Sequence, residues 1–287
     1  MSARHLRSFT DADARRLFPV PRADAHKYSR GVVGIDAGSA AFPGAAILAC
    51  SGAARAGAGM VRYLGPRDVG ERVLAARPEA VLGDGRYDIL VVGCGLAAED
   101  PRARAGVEAL TDADGPLRGR GVIDAGALGA IRAGDRLRAT TILTPHAGEA
   151  RSLAGVLGVD PELPREELVS ALAAACGATV LLKGTTTLVA DGGDPGHVVR
   201  VDRTTPMLAT AGTGDVLAGI VGTFLAAGLD APDAASLGAH VHAAAGLIAS
   251  RGGLVPLVAL DVASRLPDAL AAILERAVEP AADQGGA

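Results

Sequence analysis

The stretch ATAGTGDVLAG, residues 209–219, places one acid, Asp215, where a glycine-rich turn leads into an apolar run. The apolar residues that follow predict a helix over 214–228. The N-terminus of a helix carries free N–H groups and partial positive charge, and it therefore favours anions. Two hypotheses follow. Asp215 either stabilises the first turn of the helix, or accepts a proton beside a phosphate group bound by the glycine-rich backbone.

Short β-branched segments alternate with Ala-, Leu-, Arg- and Glu-rich segments along the rest of the chain. The predicted strands are 31–36, 59–64, 87–93, 121–125, 140–144 and 179–183, followed by a hairpin of 187–191 and 196–201. The predicted helices are 43–57, 68–76, 102–111, 126–132, 147–157, 164–176, 214–228, 233–250 and 260–277. This order favours an α/β fold with a mostly parallel central sheet, helices on both faces and an antiparallel edge hairpin. We predict an N-terminal arm (1–25), one domain (26–278) and a disordered tail (279–287).

The composition limits the class of protein. With 287 residues, 49% of them hydrophobic, the chain is long enough for one large α/β domain. A net charge of −4 gives no electrostatic case for nucleic-acid binding. The longest apolar run, 216–229, is too short to cross a bilayer, and the N-terminus shows no apolar signal segment. The cysteines Cys50, Cys94 and Cys176 form no CxxC pair. We therefore predict a soluble cytoplasmic protein that binds neither nucleic acid nor membrane.

The segment GCGLAA, residues 93–98, fits the loose dinucleotide-binding pattern G-x-G-x-x-A. That pattern usually follows the first strand and has an acid roughly 20 residues later, whereas here it follows the third predicted strand. A tight turn and a glycine loop that lines a ligand pocket are the other interpretations. Neither lysine stands in a P-loop pattern and no G-x-S-x-G motif occurs, so a P-loop NTPase and a serine hydrolase have little support.

The segment TPHAGE, residues 144–149, follows a predicted strand and opens a predicted helix. On the structural hypothesis, Thr144 caps the helix and Glu149 stabilises its first turn. On the functional hypothesis, His146 faces a ligand at the end of the strand and Glu149 orders water around Mg²⁺. One carboxylate is sufficient for that role, because Mg²⁺ usually keeps several of its waters.

The segment LLKGTTT, residues 181–187, places Lys183 at the end of an apolar strand. A lysine buried there needs a partner, and a phosphate flanked by Gly184 and the threonine hydroxyls supplies one. The alternative is an exposed lysine in a hairpin turn. Downstream, Gly212 and Gly214 flank Thr213, and their backbone amides are suited to an anion hole for charge that develops on a phosphoryl group.

Taken together, these motifs resemble the ribokinase-like superfamily and, within it, the ADP/ATP-dependent NAD(P)H-hydrate dehydratases. The resemblance runs in order from about residue 26 to 250, through HKYSRGVVGIDAGSAAFPGAAILA (26–49), VVGCGL (91–96), DAGAL (124–128), TPHAGE, LLKGTTT and ATAGTGDVLAG. The GTGD sequence marks the superfamily, and GSxxxPGA, TPHxGE and KGxxT are more specific to the dehydratases. Similar sugar and vitamin kinases carry Asn where this chain has His146, which favours the dehydratases.

The resemblance implies a three-layer αβα sandwich and a role for each matching residue. Asp215 would be the catalytic base, the loop Gly212–Thr213–Gly214 would bind the phosphoryl group, and Glu149 would hold Mg²⁺ through water. The implied nucleotide-binding residues are Lys183, Gly184, Thr185, Thr186, Thr187 and Gly214. The implied contacts of the hydrated dinucleotide are Ala45, Gly95, His146 and Asp215.

The implied reaction is dehydration of the S-form of NAD(P)H hydrate, with ADP, or else ATP, as phosphoryl donor. Phosphorylation of the C6 hydroxyl turns a poor leaving group into a good one, and loss of phosphate restores NAD(P)H. The resemblance also implies Mg²⁺, a homo-oligomer, by analogy a tetramer, and a separate epimerase. A small-molecule kinase for a vitamin precursor and a non-catalytic nucleotide-binding protein remain alternatives, because fold alone does not determine function.

This chain departs from the family pattern at several positions in the implied site. Cys94 and Ala147 stand where the family usually has proline. Before GTGD, Met207, Leu208 and Ala211 replace glycine, methionine and glycine. Because Met207 is bulkier than glycine, it would narrow the phosphate loop.

Overall fold

The computed structural model describes residues 5–275, so the predicted tail 279–287 lies outside the described residues. The strands are β1 (His5–Ser8), β2 (Val32–Asp36), β3 (Met60–Tyr63), β4 (Val81–Leu82), β5 (Ile89–Val92), β6 (Gly121–Ile123), β7 (Thr141–Leu143), β8 (Thr179–Leu182), β9 (Thr187–Ala190) and β10 (His197–Val201). The helices are α1 (Asp11–Leu17), α2 (Pro43–Arg55), α3 (Arg67–Ala76), α4 (Pro101–Thr111), α5 (Gly126–Gly129), α6 (Ala147–Leu157), α7 (Arg165–Cys176), α8 (Thr213–Ala226), α9 (Ala231–Ala249) and α10 (Ala259–Glu275).

All ten of these strands form a single sheet in the order β1-β10-β9-β8-β7-β6-β5-β2-β3-β4. Neighbouring strands from β8 to β4 pair in parallel, as do β1 and β10, whereas β9 is antiparallel to both of its neighbours. The predicted mostly parallel sheet with an antiparallel hairpin near one edge is confirmed. The hairpin is not itself the border of the sheet, because β1 pairs with β10 outside it.

Helices cover both faces of the sheet, which gives the predicted three-layer sandwich. One apolar core lies beneath α2, α3, α8, α9 and α10, and a second lies beneath α4, α5, α6 and α7. The central strands β5 and β8 are buried throughout, as their continuous apolar sequences require. Cys50, Cys94 and Cys176 are free thiols buried in these cores.

Helices α2 and α8 touch through their backbones. A Cβ on Gly52 would lie 2.2 Å from the carbonyl oxygen of Val216, and a Cβ on Gly219 would lie 2.1 Å from that of Ala49. Only glycine permits such an approach. The hydroxyl of Thr223 also donates a hydrogen bond to the carbonyl of Ala53 at 3.1 Å. These contacts fix the start of α8, and therefore Asp215, relative to α2.

The N-terminal segment packs on this sandwich. The N-cap of α1 is Thr10, whose side chain and that of Asp13 form a capping box. Asp11 accepts hydrogen bonds from Arg203 at 2.9 Å and from His240 of α9 at 2.7 Å. The separation of an arm at residues 1–25 from a domain at 26–278 stays a prediction, although β1 and α1 contribute to the same sheet and the same layer of helices. None of the helices within residues 5–275 is long and apolar enough to cross a membrane.

Candidate active site

The carboxyl ends of β6, β7 and β8 meet the N-terminus of α8 around a cavity of about 690 Å³. Its walls bring together three motifs that are distant in sequence. TPHAGE contributes His146 and Glu149, the loop after β8 contributes Lys183, and the start of α8 contributes Asp215. The cavity thus lies at the carboxyl edge of the parallel strands, where open α/β sheets bind their ligands.

Asp215 lies in the first turn of α8, behind the N-cap residue Gly212. Gly212 has φ +88°, and a Cβ there would lie 2.4 Å from the side chain of Leu48, so glycine is required on both grounds. Burial raises the pKa of Asp215 to about 7, and the negative charge of Asp124 adds to that rise. A hydrogen bond from Cys94 and the charge of Lys183 act in the opposite direction. The structure therefore holds a carboxyl group whose proton affinity suits transfer near neutral pH.

Asp124 is the anion at the centre of the site, and only 2% of it is exposed. Its Oδ1 atom accepts hydrogen bonds from the ammonium of Lys183 at 2.8 Å and from the hydroxyl of Thr144 at 2.8 Å. Its Oδ2 atom faces the thiol of Cys94 at 3.5 Å. Burial lowers the pKa of Lys183, but the carboxylates of Asp124 and Glu149 outweigh that effect and raise it. Lys183 is therefore a cation in the wall of the cavity, although its partner is an aspartate rather than a phosphate.

His146 is the N-cap of α6, and Thr144 is not. The Nδ1 atom of His146 accepts the backbone N–H of Gly148 at 3.0 Å and that of Glu149 at 3.2 Å, while Glu149 accepts the N–H of His146 at 2.8 Å. The prediction that Thr144 caps this helix is wrong, because its hydroxyl is engaged by Asp124. With Nδ1 as acceptor, the neutral imidazole of His146 carries its proton on Nε2.

The loop after β8 is the connection of the β8–β9 hairpin, and Lys183, Gly184, Thr185 and Thr187 line the cavity. Thr186 is not among the lining residues. Its carbonyl instead accepts a hydrogen bond at 2.9 Å from Arg165, at the start of α7. This hydrogen bond holds the loop in place, and Arg165 itself lines the cavity.

Gly212, Thr213 and Gly214 line the cavity at the start of α8. Gly214 approaches the Lys183 ammonium, since a Cβ there would lie 3.3 Å from Nζ. His242 of α9 supports this loop through a 2.9 Å hydrogen bond from Nε2 to the carbonyl of Thr213. Burial lowers the pKa of His242 to about 4, so it is neutral at pH 7.

Ala45 and Gly95 lie together but are not among the residues that line this cavity. Gly95 has φ +68°, and a Cβ on it would lie 2.6 Å from that of Ala45. The neighbouring Cys94 connects them to the cavity through Asp124. Gly93 permits that connection, because a Cβ there would lie 1.9 Å from the carbonyl oxygen of Asp124.

Several residues of the site were not singled out from the sequence. Asp124 is an acid at the end of an apolar strand, a signal that was available in GVIDA. Ala125 has φ +47°, an unusual conformation for alanine, beside the cavity. Arg165 and His242 lie on helices with no motif, and nothing local in the sequence marks them.

Solved structures show which class of protein this fold defines. A ribokinase-like superfamily protein from Enterococcus faecalis superposes with a TM-score of 0.80 at 21% identity, covering 93% of this chain and 96% of that one. An ADP/ATP-dependent NAD(P)H-hydrate dehydratase from Bacillus subtilis, co-crystallized with ATP/Mg²⁺, superposes with a TM-score of 0.81 at 26% identity, covering 93% and 98%. The fold is therefore ribokinase-like, as the motifs predict.

Sequence comparison narrows the class to a family. A family model described as NAD(P)H-hydrate dehydratase matches residues 33–267, and the chain belongs to this family. It is 36% identical to the ADP-dependent (S)-NAD(P)H-hydrate dehydratase of Xanthomonas campestris, covering 94% of this chain and 98% of that one. It is 39% identical to the bifunctional NAD(P)H-hydrate repair enzyme of Mycobacterium leprae, over 91% of this chain. The chain spans 55% of the length of that bifunctional relative.

Proposed function

We propose that this chain dehydrates the S-form of NAD(P)H hydrate and uses ADP as the phosphoryl donor, which makes it a metabolite-repair lyase. The names of the Xanthomonas campestris and Neisseria meningitidis relatives, 36% and 38% identical, support the substrate and the donor. The observation that carries the proposal is the position of Asp215, a partly buried carboxyl group with a pKa of about 7, in the first turn of α8 at the cavity.

In this proposal Asp215 takes the proton of the C6 hydroxyl as that oxygen attacks the terminal phosphorus of ADP. AMP leaves, and the C6 oxygen now carries a phosphoryl group. The lone pair of the ring nitrogen then expels phosphate, and loss of a proton from C5 restores the double bond of NAD(P)H. The backbone amides at the start of α8 stabilise the negative charge that develops during the first step.

The ammonium of Lys183 and the loop after β8 hold the nucleotide in this proposal. Lys183 offers its ammonium to the phosphates, and Gly184, Thr185 and Thr187 provide backbone and hydroxyl donors. Arg165 keeps this loop in position through its hydrogen bond to Thr186. Ala45, Gly95 and His146 complete the contacts proposed for the hydrated dinucleotide, and the Nε2 atom of His146 lies 3.5 Å from Oε1 of Glu149.

Glu149 is the residue proposed to hold Mg²⁺ through water. Its carboxylate is partly exposed and lies at the cavity, which fits a cation held by one carboxylate, phosphate oxygens and water. When bound, the ion supplies charge neutralisation at the phosphates. The predicted homotetramer, cytoplasmic location and separate epimerase stay predictions.

The proposal is tested by the absorbance of the dihydronicotinamide ring. Purified protein is mixed with acid-prepared NADH hydrate and Mg²⁺, with ADP or ATP in parallel reactions. We expect absorbance to return with ADP and the Asp215→Asn variant to bind ADP without turnover. No recovery with either nucleotide, in folded protein that binds ADP, would refute the dehydratase and favour a kinase that releases a stable phosphoester.

A further inference from the structure

Cys94 is a departure from the family pattern that the proposed function leaves unexplained. Its side chain is fully buried in the loop after β5, and its Sγ atom lies 3.5 Å from Oδ2 of Asp124. The Asp215 carboxylate completes a cluster in which the three side chains offer atoms within 4.8 Å of one another. A thiol therefore stands at the contact between the proposed base and the central aspartate.

The hydrogen-bonding capacities in this cluster are unequal. Oδ1 of Asp124 already accepts from Lys183 and Thr144, so its Oδ2 is the atom left for the thiol. Burial, followed by the charges of Asp124 and Asp215, raises the pKa of Cys94 well above its usual range. The sulfur therefore keeps its proton and has a single hydrogen bond to give, with two carboxylates able to accept it.

We propose, on the basis of the proposed function, that Cys94 is a positioning residue for Asp215. Its thiol divides one hydrogen bond between Asp124 and Asp215, and the share that Asp215 receives favours the ionised form of that carboxylate, which is the form that accepts the substrate proton. When Asp215 takes the substrate proton, the thiol gives its hydrogen bond to Asp124. The proton of Cys94 never leaves the sulfur, so no redox step is involved.

The other groups around Asp215 do not replace this hydrogen bond. Lys183 attracts the carboxylate but donates its hydrogen bond to Asp124. Glu149 lies beyond Lys183, at 3.9 Å from its ammonium. His242, on α9, donates to the carbonyl of Thr213 and is neutral. Cys94 is thus the neutral donor that the structure places against both carboxylates within residues 5–275.

The test is the dependence of kcat/KM on pH in the whole enzyme. Its acid limb, the range in which kcat/KM rises as the base ionises, reports the pKa of the base in the free protein. Cys94→Ala removes the donor, and loss of one neutral hydrogen bond is expected to move the limb upward by about half a unit to one unit. At pH 6 this lowers kcat/KM by roughly three- to tenfold, whereas kcat/KM at pH 9 is unchanged. Cys94→Ser restores an O–H donor and is expected to return the limb to its wild-type position or below.

Cys176→Ala is the matched control. Cys176 is also a buried thiol, but within the described residues its sulfur hydrogen-bonds to backbone carbonyls, those of Ala173 and Ala178, and to no carboxylate. We expect Cys176→Ala to reduce thermal stability as Cys94→Ala does, without moving the limb. The role of Cys94 would be overturned by any one of three results. These are an acid limb at the same pH in Cys94→Ala as in wild type, a shift in Cys94→Ala that Cys94→Ser fails to reverse, and the same shift in Cys176→Ala.

A second measurement separates this inference from the proposed function. If wild-type protein does not dehydrate NADH hydrate, the reaction is wrong, and the profile is replaced by a ¹³C NMR titration of the Asp215 carboxyl. That signal is assigned by its absence from Asp215→Asn. An upward shift in Cys94→Ala alone would support the contact, and an unchanged titration would overturn it.

Discussion

Replacing the proposed base is expected to stabilise the protein, and to do so in a pH-dependent way. Burial raises the pKa of Asp215 from 3.8 to about 7, so the folded state binds an extra proton between those values. The contribution of this proton to the free energy of unfolding is fully present below about pH 3.8 and is lost as pH rises to about 7. At about 1.36 kcal/mol per unit, ionised Asp215 costs at most about 4 kcal/mol at pH 8.

Asp215→Asn removes this cost because its side chain does not ionise. Between pH 5 and pH 8, the free energy of unfolding of the variant relative to wild type is expected to rise by about 2–3 kcal/mol. The assay is urea unfolding of both proteins at several pH values, with Asp114→Asn, an exposed loop position, as the control. A difference that stays constant from pH 5 to pH 8 would refute the reasoning, whatever its absolute size.

Three further predictions concern groups that hold the site together. Gly52→Ala is expected to lower the free energy of unfolding by at least about 2 kcal/mol and to lower kcat/KM, because its Cβ would lie 2.2 Å from the Val216 carbonyl oxygen. Gly155→Ala is the control, because open space surrounds Gly155, and urea unfolding should show a gain of about 0.5–1 kcal/mol. Lys183→Met leaves the Asp124 carboxylate buried without its cation and is expected to cost about 3 kcal/mol, most of it regained in the double variant with Asp124→Asn. His242→Gln keeps a hydrogen-bond donor but does not titrate. As pH falls from 6.5 to 4, the free energy of unfolding of wild type is expected to decrease by up to about 3 kcal/mol relative to that of the variant, as measured by urea unfolding at each pH.

The sequence predicts most of the sheet and its helices, because each central strand is apolar and each helix carries its own periodicity. Helix α6 begins and ends at the predicted residues, 147 and 157. What it misses is short: β1 reads HLRS, β4 has only the residues Val81–Leu82, and α1 reads DADARRL. These segments owe their structure to the neighbours on which they pack, and local propensity does not reveal those neighbours.

In the candidate site, too, the sequence predicts the residues that stand in local motifs and misses their partners from distant segments. The sequence marks Asp215, Lys183 and Glu149 because each is a charged residue beside glycine, Lys183 directly after a strand and the two acids in the first turn of a helix. Their partners are not marked in this way, since the ion pair of Lys183 with Asp124 joins residues 59 positions apart. The N-cap of α6 is predicted wrongly because Thr144 and His146 are both able to cap a helix. The hydrogen bond of Thr144 to Asp124 leaves His146 as the cap.

The pairing of β1 with β10 sets the order in which the chain can assemble. Residues 5–8 pair with residues 197–200, so β1 has no strand partner among the described residues until β10 has been made. At about 5–20 residues per second, that strand waits roughly 10–40 s. Until then α1, which follows β1, has neither Arg203 nor His240 to hold Asp11. β1 is thus made before the other described strands and is yet among the last of them to pair.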